Sequence, residues 1–300
     1  MTTQCFEIHP VGSFDLSSYL HASGGGLMMH PCGTSPNELQ LAFLADDLDH
    51  AVGVRLRQTG SAVHAAISDC LADIDLVRRQ VERMLGLDVD ARRFDDLAAK
   101  EPVIGRLRAR FPGLRHYAFA SPYESAVRFV IGQRMRITQA AVIRQRLADA
   151  HGGKVTFAET TRGVVPSPRV LLGITEFPGI NAAKIKALHA VATAAREGGL
   201  DAEMLRSLPH EFALAHLQKI HGIGPFSAEG ILIRGAVAPD ALPTSEPRLK
   251  RAVARAYGLR AEPDDAQMAR ISDGWRPFRG CVCYQLRRWH EDATHEISRK

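Results

Sequence analysis

The residues with the clearest chemical purpose lie in one run, Leu217–Gln218–Lys219–Ile220–His221–Gly222–Ile223–Gly224–Pro225–Phe226–Ser227–Ala228. It reads as a helix, a tight Gly-Ile-Gly turn and a second helix beginning near Pro225. Glycines at both ends of the turn let the backbone take positive φ and approach a partner with no Cβ in the way. Free amides at the start of the second helix, together with its dipole, favour an anion there. Ile223 is the apolar peg that packs the turn onto its own helices. Gly222, Ile223, Gly224 and Ser227 thus form a phosphate cradle indifferent to base sequence. A compact helix–helix corner closed by two glycines would use the same residues. The ordered set is more specific than such a corner requires, and it favours DNA. His221 reads as a solvent-facing spacer rather than a general base.

Charge is distributed to match. The chain has a net charge of +5, yet residues 1–100 hold 8 Lys and Arg against 14 Asp and Glu, while residues 101–300 hold 30 against 19. A basic body behind an acidic lobe suits a polyanionic partner, although solvated Arg-rich helices would give the same count. Hydrophobic residues make up 45% of the 300, enough for a sizeable core. No stretch approaches the roughly 18 apolar residues of a membrane span. The first ten residues lack the basic and apolar regions of a secretory signal, so a soluble, intracellular protein is expected. Cys5, Cys32, Cys70, Cys281 and Cys283 show no paired metal-knuckle spacing, so neither zinc nor an iron–sulfur cluster is expected. Cys281 and Cys283 sit in an apolar stretch that favours buried free thiols.

Stepping along the chain, residues 37–44 are strand-like and residues 52–68 alternate across a turn at Thr59–Gly60–Ser61. Gly24–Gly25–Gly26 marks a loop. From Leu76 to Leu85 the apolar period becomes helical. Ser121 can cap a helix with Pro122 at its first position, and Glu124 can reach back to the cap amide. Gly132–Gln133–Arg134–Met135–Arg136 interrupts this helix, and Thr138 can cap the next. Further helices are expected over residues 182–197, 202–207, 211–220, 227–237, 247–257, 264–272 and 279–289. The fold class is therefore α+β: a small antiparallel β-containing lobe over residues 1–80, then an all-α helix–hairpin–helix body over 81–300.

These segments together resemble the helix–hairpin–helix DNA glycosylases, and among them the 3-methyladenine DNA glycosylase II group. The resemblance runs from about Leu76 to Trp289 and is weaker in the N-terminal lobe. It rests on Pro122–Tyr123–Glu124 leading to Gly132–Gln133, on Phe177–Pro178–Gly179–Ile180 leading to Lys184, on the hairpin, and on Trp275–Arg276–Pro277–Phe278–Arg279 followed by Tyr284 and Trp289. It implies a helical body with a cleft into which a damaged nucleotide of double-stranded DNA is flipped, because the glycosidic bond is inaccessible while the base is stacked. By this resemblance Gln133 and Arg134 are the wedge that fills the gap. Phe226, Phe278 and Trp275 stand at the base pocket, where a ring face attracts a cationic alkylated purine. For the phenylalanines, plain core packing is the competing role. Lys219, Lys250 and Arg251, with Arg255 nearby, stand close to the phosphates. No cofactor is implied other than a monovalent cation under the hairpin carbonyls. A clamp on one nucleotide works as a monomer, in the cytoplasm and at the nucleoid.

The chain departs from the family at its catalytic acid. Where the resemblance implies an aspartate after the hairpin, Leu242–Pro243–Thr244–Ser245–Glu246–Pro247 presents Glu246. Its carboxylate could stabilise the positive charge that develops on the sugar and orient water. Ordinary helix capping is the alternative, and Asp240 is a weaker candidate for the acid. Phe226 occupies the position of the nucleophilic lysine of strand-cutting relatives, so monofunctional hydrolysis is implied. Gly230, one turn after Phe226, implies a sparser pocket. The leading reading is a glycosylase for alkylated bases in base excision repair. A non-catalytic damaged-DNA binder of the same fold and an enzyme on another lesion are the alternatives. Replacing Lys250 and Arg251 by Ala should weaken duplex binding and lower its salt dependence. An unchanged salt slope in a titration would remove both residues from the interface.

Overall fold

The computed structural model describes residues 4–21, 38–68, 71–116, 118–157 and 160–295. The glycine run at 24–26, Asn37, Cys32 and Cys70 lie outside them. In chain order the elements are β1 (Gln4–Ile8), α1 (Leu16–His21), β2 (Glu38–Leu44), β3 (Ala51–Thr59), β4 (Ala62–Ser68), α2 (Ile74–Leu85), α3 (Arg92–Lys100) and α4 (Pro102–Arg110). Then come α5 (Pro122–Gly132), α6 (Ile137–His151), β5 (Lys154–Phe157), β6 (Thr160–Gly163), α7 (Pro168–Leu172), α8 (Ala182–Arg196), α9 (Ala202–Ser207) and α10 (His210–Gln218). The chain closes with α11 (Pro225–Arg234), α12 (Pro247–Tyr257), α13 (Asp265–Asp273) and α14 (Arg279–Thr294). This is the expected α+β arrangement. No helix among the described residues is long and apolar enough to cross a membrane.

The first four strands form one antiparallel sheet in the order β1-β4-β3-β2. β3 and β4 make the hairpin that the alternation requires, turning at Gly60 with φ +60°. One face of the sheet is covered by helices, and its core continues through Val77, Val81 and Leu85 of α2, Phe94 and Ile104. Leu249, Trp275, Phe278, Val282 and Leu286, from the far end of the chain, complete that same core. The N-terminal sheet and the C-terminal helices are therefore one packed unit, continuous across residue 80. A second core is built by α5–α11 with β5 and β6, around Val130, Ile131, Leu188, Val191, Leu217 and Ile231.

Two local findings differ from the sequence reading. Residues 154–157 and 160–163 pair as β5 and β6 in a region that reads as helical, and Val155 and Phe157 pack directly over Gly53 of β3, where no Cβ would fit. Only long-range burial makes that short pair hold. The helix after the Gly132 interruption starts at Ile137, with Arg136 as its uncapped boundary, so Thr138 is already inside the first turn. The start of α5 behaves as expected at Ser121, whose hydroxyl accepts from the Glu124 amide at 3.1 Å. Glu124 instead reaches the Ala120 amide at 3.3 Å and pairs with Arg128 at 3.5 Å.

Cys281 and Cys283 are buried free thiols, and burial pushes Cys281 up to about 12. Burial has the opposite sign for His116, which is held down at about 4 by desolvation and by the nearby Arg234. The unfolded chain binds this proton near pH 6.5, so stability from the neutral imidazole is complete above that value and is lost as pH falls towards 4. The loss should reach at most about 3 kcal/mol. Denaturant titrations between pH 7 and 4 should show this decline, and His116→Leu should flatten it.

Candidate functional site

The hairpin joins α10 to α11, and its two glycines do different work. Gly222 takes φ +89°, and a Cβ there would overlap Ala187 of α8. Its close approach is thus to the protein itself. Gly224 has φ −93° and ψ 179°, an extended conformation open to any residue, and a Cβ there would meet nothing. The expectation of positive φ at both glycines is corrected here: one turn of the backbone at Gly222 suffices. Ile223 is buried, as a peg should be. Gly224 is the N-cap of α11 and has no side chain with which to cap, and Pro225 occupies the first turn. The first backbone acceptor is Gly224 O, from Ala228 N at 2.9 Å, so helix geometry directs the Phe226 and Ser227 amides outward. Gly224, Pro225 and Phe226 are exposed while Ser227 as a whole is buried, so the accessible surface of this first turn belongs to residues 224–226.

The wedge loop is tied to the hairpin. Gln133 donates from Nε2 to Gly222 O at 2.6 Å, so its amide is turned inward. Lys184 of α8 donates from Nζ to Ile131 O at 2.7 Å and to Gln133 O at 2.8 Å, closing the end of α5. Desolvation lowers the Lys184 pKa. α8 begins at the Asn181 cap, immediately after the Phe177–Ile180 turn in which Gly179 has φ +88°. Arg134 is exposed and has φ +53°. A non-glycine residue there costs about 1–3 kcal/mol, and such outliers cluster at functional sites. Of the two wedge candidates, Arg134 is the one that projects. Among the hairpin carbonyls, Gly222 O receives Gln133 and Ile220 O receives Ile223 N at 3.0 Å.

The structure separates the three aromatic pocket candidates. Phe226 is 50% exposed beside the α11 N-terminus. Trp275 and Phe278 are core residues instead: Trp275 donates from Nε1 to Tyr257 Oη at 2.8 Å, and Phe278 packs on Phe94 with ring centroids 5.1 Å apart. Both are buried against α12 and α3, so neither shares the exposure of Phe226. The residue that sequence reasoning missed is Phe129 of α5. Its ring lies over Gly230, meets Phe226 edge-on at 5.8 Å, and continues to Phe119 at 6.5 Å. Phe119 is held between the guanidinium groups of Arg128 and Arg234, 4.2 and 4.1 Å from its ring. The space vacated at Gly230 is therefore filled from another helix. Phe129 sits among Val127, Val130 and Ile131 in sequence, and nothing local distinguishes it from core.

Glu246 is the N-cap of α12, accepting from the Arg248 amide at 3.2 Å. Its other oxygen pairs closely with Arg287 of α14, and Arg248 Nε lies 3.6 Å from the first. Burial lowers the Arg287 pKa, and the Glu246 charge opposes that effect. Asp240 is occupied by Arg276 at 2.7 Å and Arg279 at 2.9 Å. Lys219 is exposed at the end of α10. Lys250 pairs at 2.7 Å with Asp265, a 95% exposed carboxylate, so the pair is weak and open to exchange for phosphate. Arg251 is half-buried on the same helix, whereas Arg255 is stacked 4.9 Å from the Trp289 ring. Among the described residues no group of three or more His, Cys, Asp and Glu could hold a metal ion.

No family model matches the chain. In sequence it is similar to the DNA-3-methyladenine glycosylase of Bacillus subtilis (strain 168), 22% identical over 212 residues that cover 69% of this chain and 70% of that protein. It is 28% identical over 197 residues to DNA-3-methyladenine glycosylase 2 of Escherichia coli (strain K12), covering 63% of this chain and 64% of that one, somewhat under two thirds of its length. In structure it is similar to the 3-methyladenine DNA glycosylase of Archaeoglobus fulgidus, with a TM-score of 0.78 at 17% identity over 97% of this chain and 99% of that one. The fold is that of the helix–hairpin–helix DNA glycosylases. The relatives it resembles in sequence carry the 3-methyladenine glycosylase name.

The two hairpin glycines can be told apart by experiment. Gly222→Ala should lower the melting temperature markedly, because φ +89° and the Ala187 overlap both oppose a Cβ. Gly224→Ala should melt like the wild type, since its Cβ meets no protein atom, yet bind duplex DNA more weakly if the α11 N-terminus holds a phosphate. Thermal melts and duplex titrations of the two variants check both statements.

Proposed function

We propose that the chain is a monofunctional DNA glycosylase that hydrolyses the N-glycosidic bond of alkylated bases, of the 3-methyladenine type, in double-stranded DNA. The observation that carries this reading is the α11 N-terminus: a glycine-entered, side-chain-free cap with outward amides, joined through Gly222 O to the loop bearing Arg134. Such an end binds a phosphate through backbone N–H groups and so reads no base sequence. Arg134, projecting from a strained backbone, fills the stack once a nucleotide leaves it. Phe226, half-exposed beside the cradle and backed by Phe129, offers a ring to the extruded base, and a cationic alkylpurine gains roughly 0.5–2 kcal/mol over such a face.

Hydrolysis needs a carboxylate near the sugar. Glu246 is the group the chain supplies, fixed in place by the α12 N-cap and by Pro247. No amine follows the hairpin where Phe226 stands, so attack falls to water and the abasic strand stays intact. Base flipping by one clamp needs a single copy, and a DNA substrate places the work at the nucleoid. A second reading has a specific observation behind it. Arg287 and Arg248 surround the Glu246 carboxylate and offset its field on a cationic transition state. A lesion-binding protein that performs no chemistry would keep this arrangement.

Base release from a methylated duplex separates the two. The wild type should free 3-methyladenine or 7-methylguanine, and Glu246→Gln should reduce the rate by about 10²-fold or more, with no strand cleavage in either case. Binding without release by both proteins would make Glu246 a helix cap and the chain a lesion binder.

A further inference from the structure

The loop that carries Glu246 is held by a group that neither the sequence motifs nor the cleft chemistry points to. Glu229, in the second turn of α11, is only 5% exposed. Its Oε1 accepts from Thr244 N at 3.1 Å and from Thr244 Oγ1 at 2.6 Å. Its Oε2 accepts from Ser245 N at 2.9 Å and from the Ser245 hydroxyl. Each carboxylate oxygen thus takes both the amide and the hydroxyl of one residue. Two adjacent residues held this way lose both translation and rotation relative to α11. Glu246 follows directly, and Pro247 fixes φ on its far side.

We propose that Glu229 is a positioning residue that couples capture of the DNA backbone to placement of the Glu246 carboxylate. The inference rests on the glycosylase reading above. α11 presents the amides of Phe226 and Ser227 at its first turn and Glu229 about 3–5 Å further along the helix axis. A helix over that length is stiff, so whatever the cradle grips is held in register with the loop at Thr244 and Ser245. A shift of about 1 Å in a reacting group costs on the order of 10²-fold in rate. Glutamine cannot substitute, because its NH2 would face a backbone N–H that has no means of turning into an acceptor.

The test compares wild type with Glu229→Gln, and with Ser245→Ala alone and in combination. Single-turnover base release from methylated duplex is measured beside duplex affinity, melting temperature and amide hydrogen exchange at residues 243–247. The exchange is read with and without a duplex carrying a tetrahydrofuran abasic site. Glu229→Gln should slow release by about 10- to 100-fold with affinity within about threefold, and Ser245→Ala should add little in its presence. Binding of the duplex should slow exchange at the Thr244 and Ser245 amides in the wild type but not in Glu229→Gln. A variant that releases base at the wild-type rate overturns the proposal. So does one whose deficit disappears when the assay temperature is lowered in step with its melting point. If the wild type releases no base, the glycosylase reading fails separately, and exchange still decides the coupling: amides that ignore the bound duplex overturn it, and amides protected only when Glu229 is present uphold it.

Discussion

The turn at Gly222 is seated on Ala187 of α8 with no room for a side chain, and this contact fixes the position of everything else around the candidate site. From the same turn, Gly222 O receives the Gln133 amide and so locates the loop that bears Arg134. α8 contributes Lys184, which closes the carbonyls at the end of α5. Three segments far apart in sequence, near residues 133, 184 and 222, are thereby made into one body. On the proposed reading, a cradle for phosphate and a wedge for the base stack are useful only at a fixed separation. Close packing here supplies that separation, because interiors of this density do not deform gradually.

A second constraint acts on the carboxylate. Glu246 is held by the α12 N-terminus and faced by Arg248 and Arg287, while Thr244 and Ser245 just before it are clasped by Glu229. Preorganisation of this kind keeps a charged group from relaxing when charge develops nearby. The same arginines oppose the effect, since a cation beside a carboxylate reduces what it can offer a cationic transition state. The balance between these two physical terms separates a catalyst from a binder on this fold.

The two cores divide the labour. One joins the N-terminal sheet to α12–α14 and so carries the Glu246 loop and Arg287, while the other joins α5–α11 and carries wedge and hairpin. Elements of the two meet where Glu229 on α11 reaches Thr244 and Ser245, just before Glu246. The N-terminal sheet shares one core with Trp275, Phe278 and the last helix, and so has a structural part in holding that end of the chain.

The hairpin, its peg Ile223, the cap at Ser121, the β3–β4 alternation and the α+β order are all local, and the sequence by itself determined them. Backbone sterics, capping chemistry and apolar period act over a few residues, so the residues display them directly. Glu229, Phe129 and the capping role of Lys184 were silent for the opposite reason. A lysine capping a distant helix, an acid clasping a loop 15 residues on, and a phenylalanine filling the space over a glycine on another helix have no local pattern. Trp275 and Phe278 show the same limit from the other side. Their motif is legible, yet only packing within the first core, beside Tyr257 and Phe94, decides that they are buried while Phe226 is left facing solvent. Local torsions and periods belong to the sequence, and the pairing of distant surfaces, which depends on shape and burial across the whole chain, was decided by the tertiary structure alone.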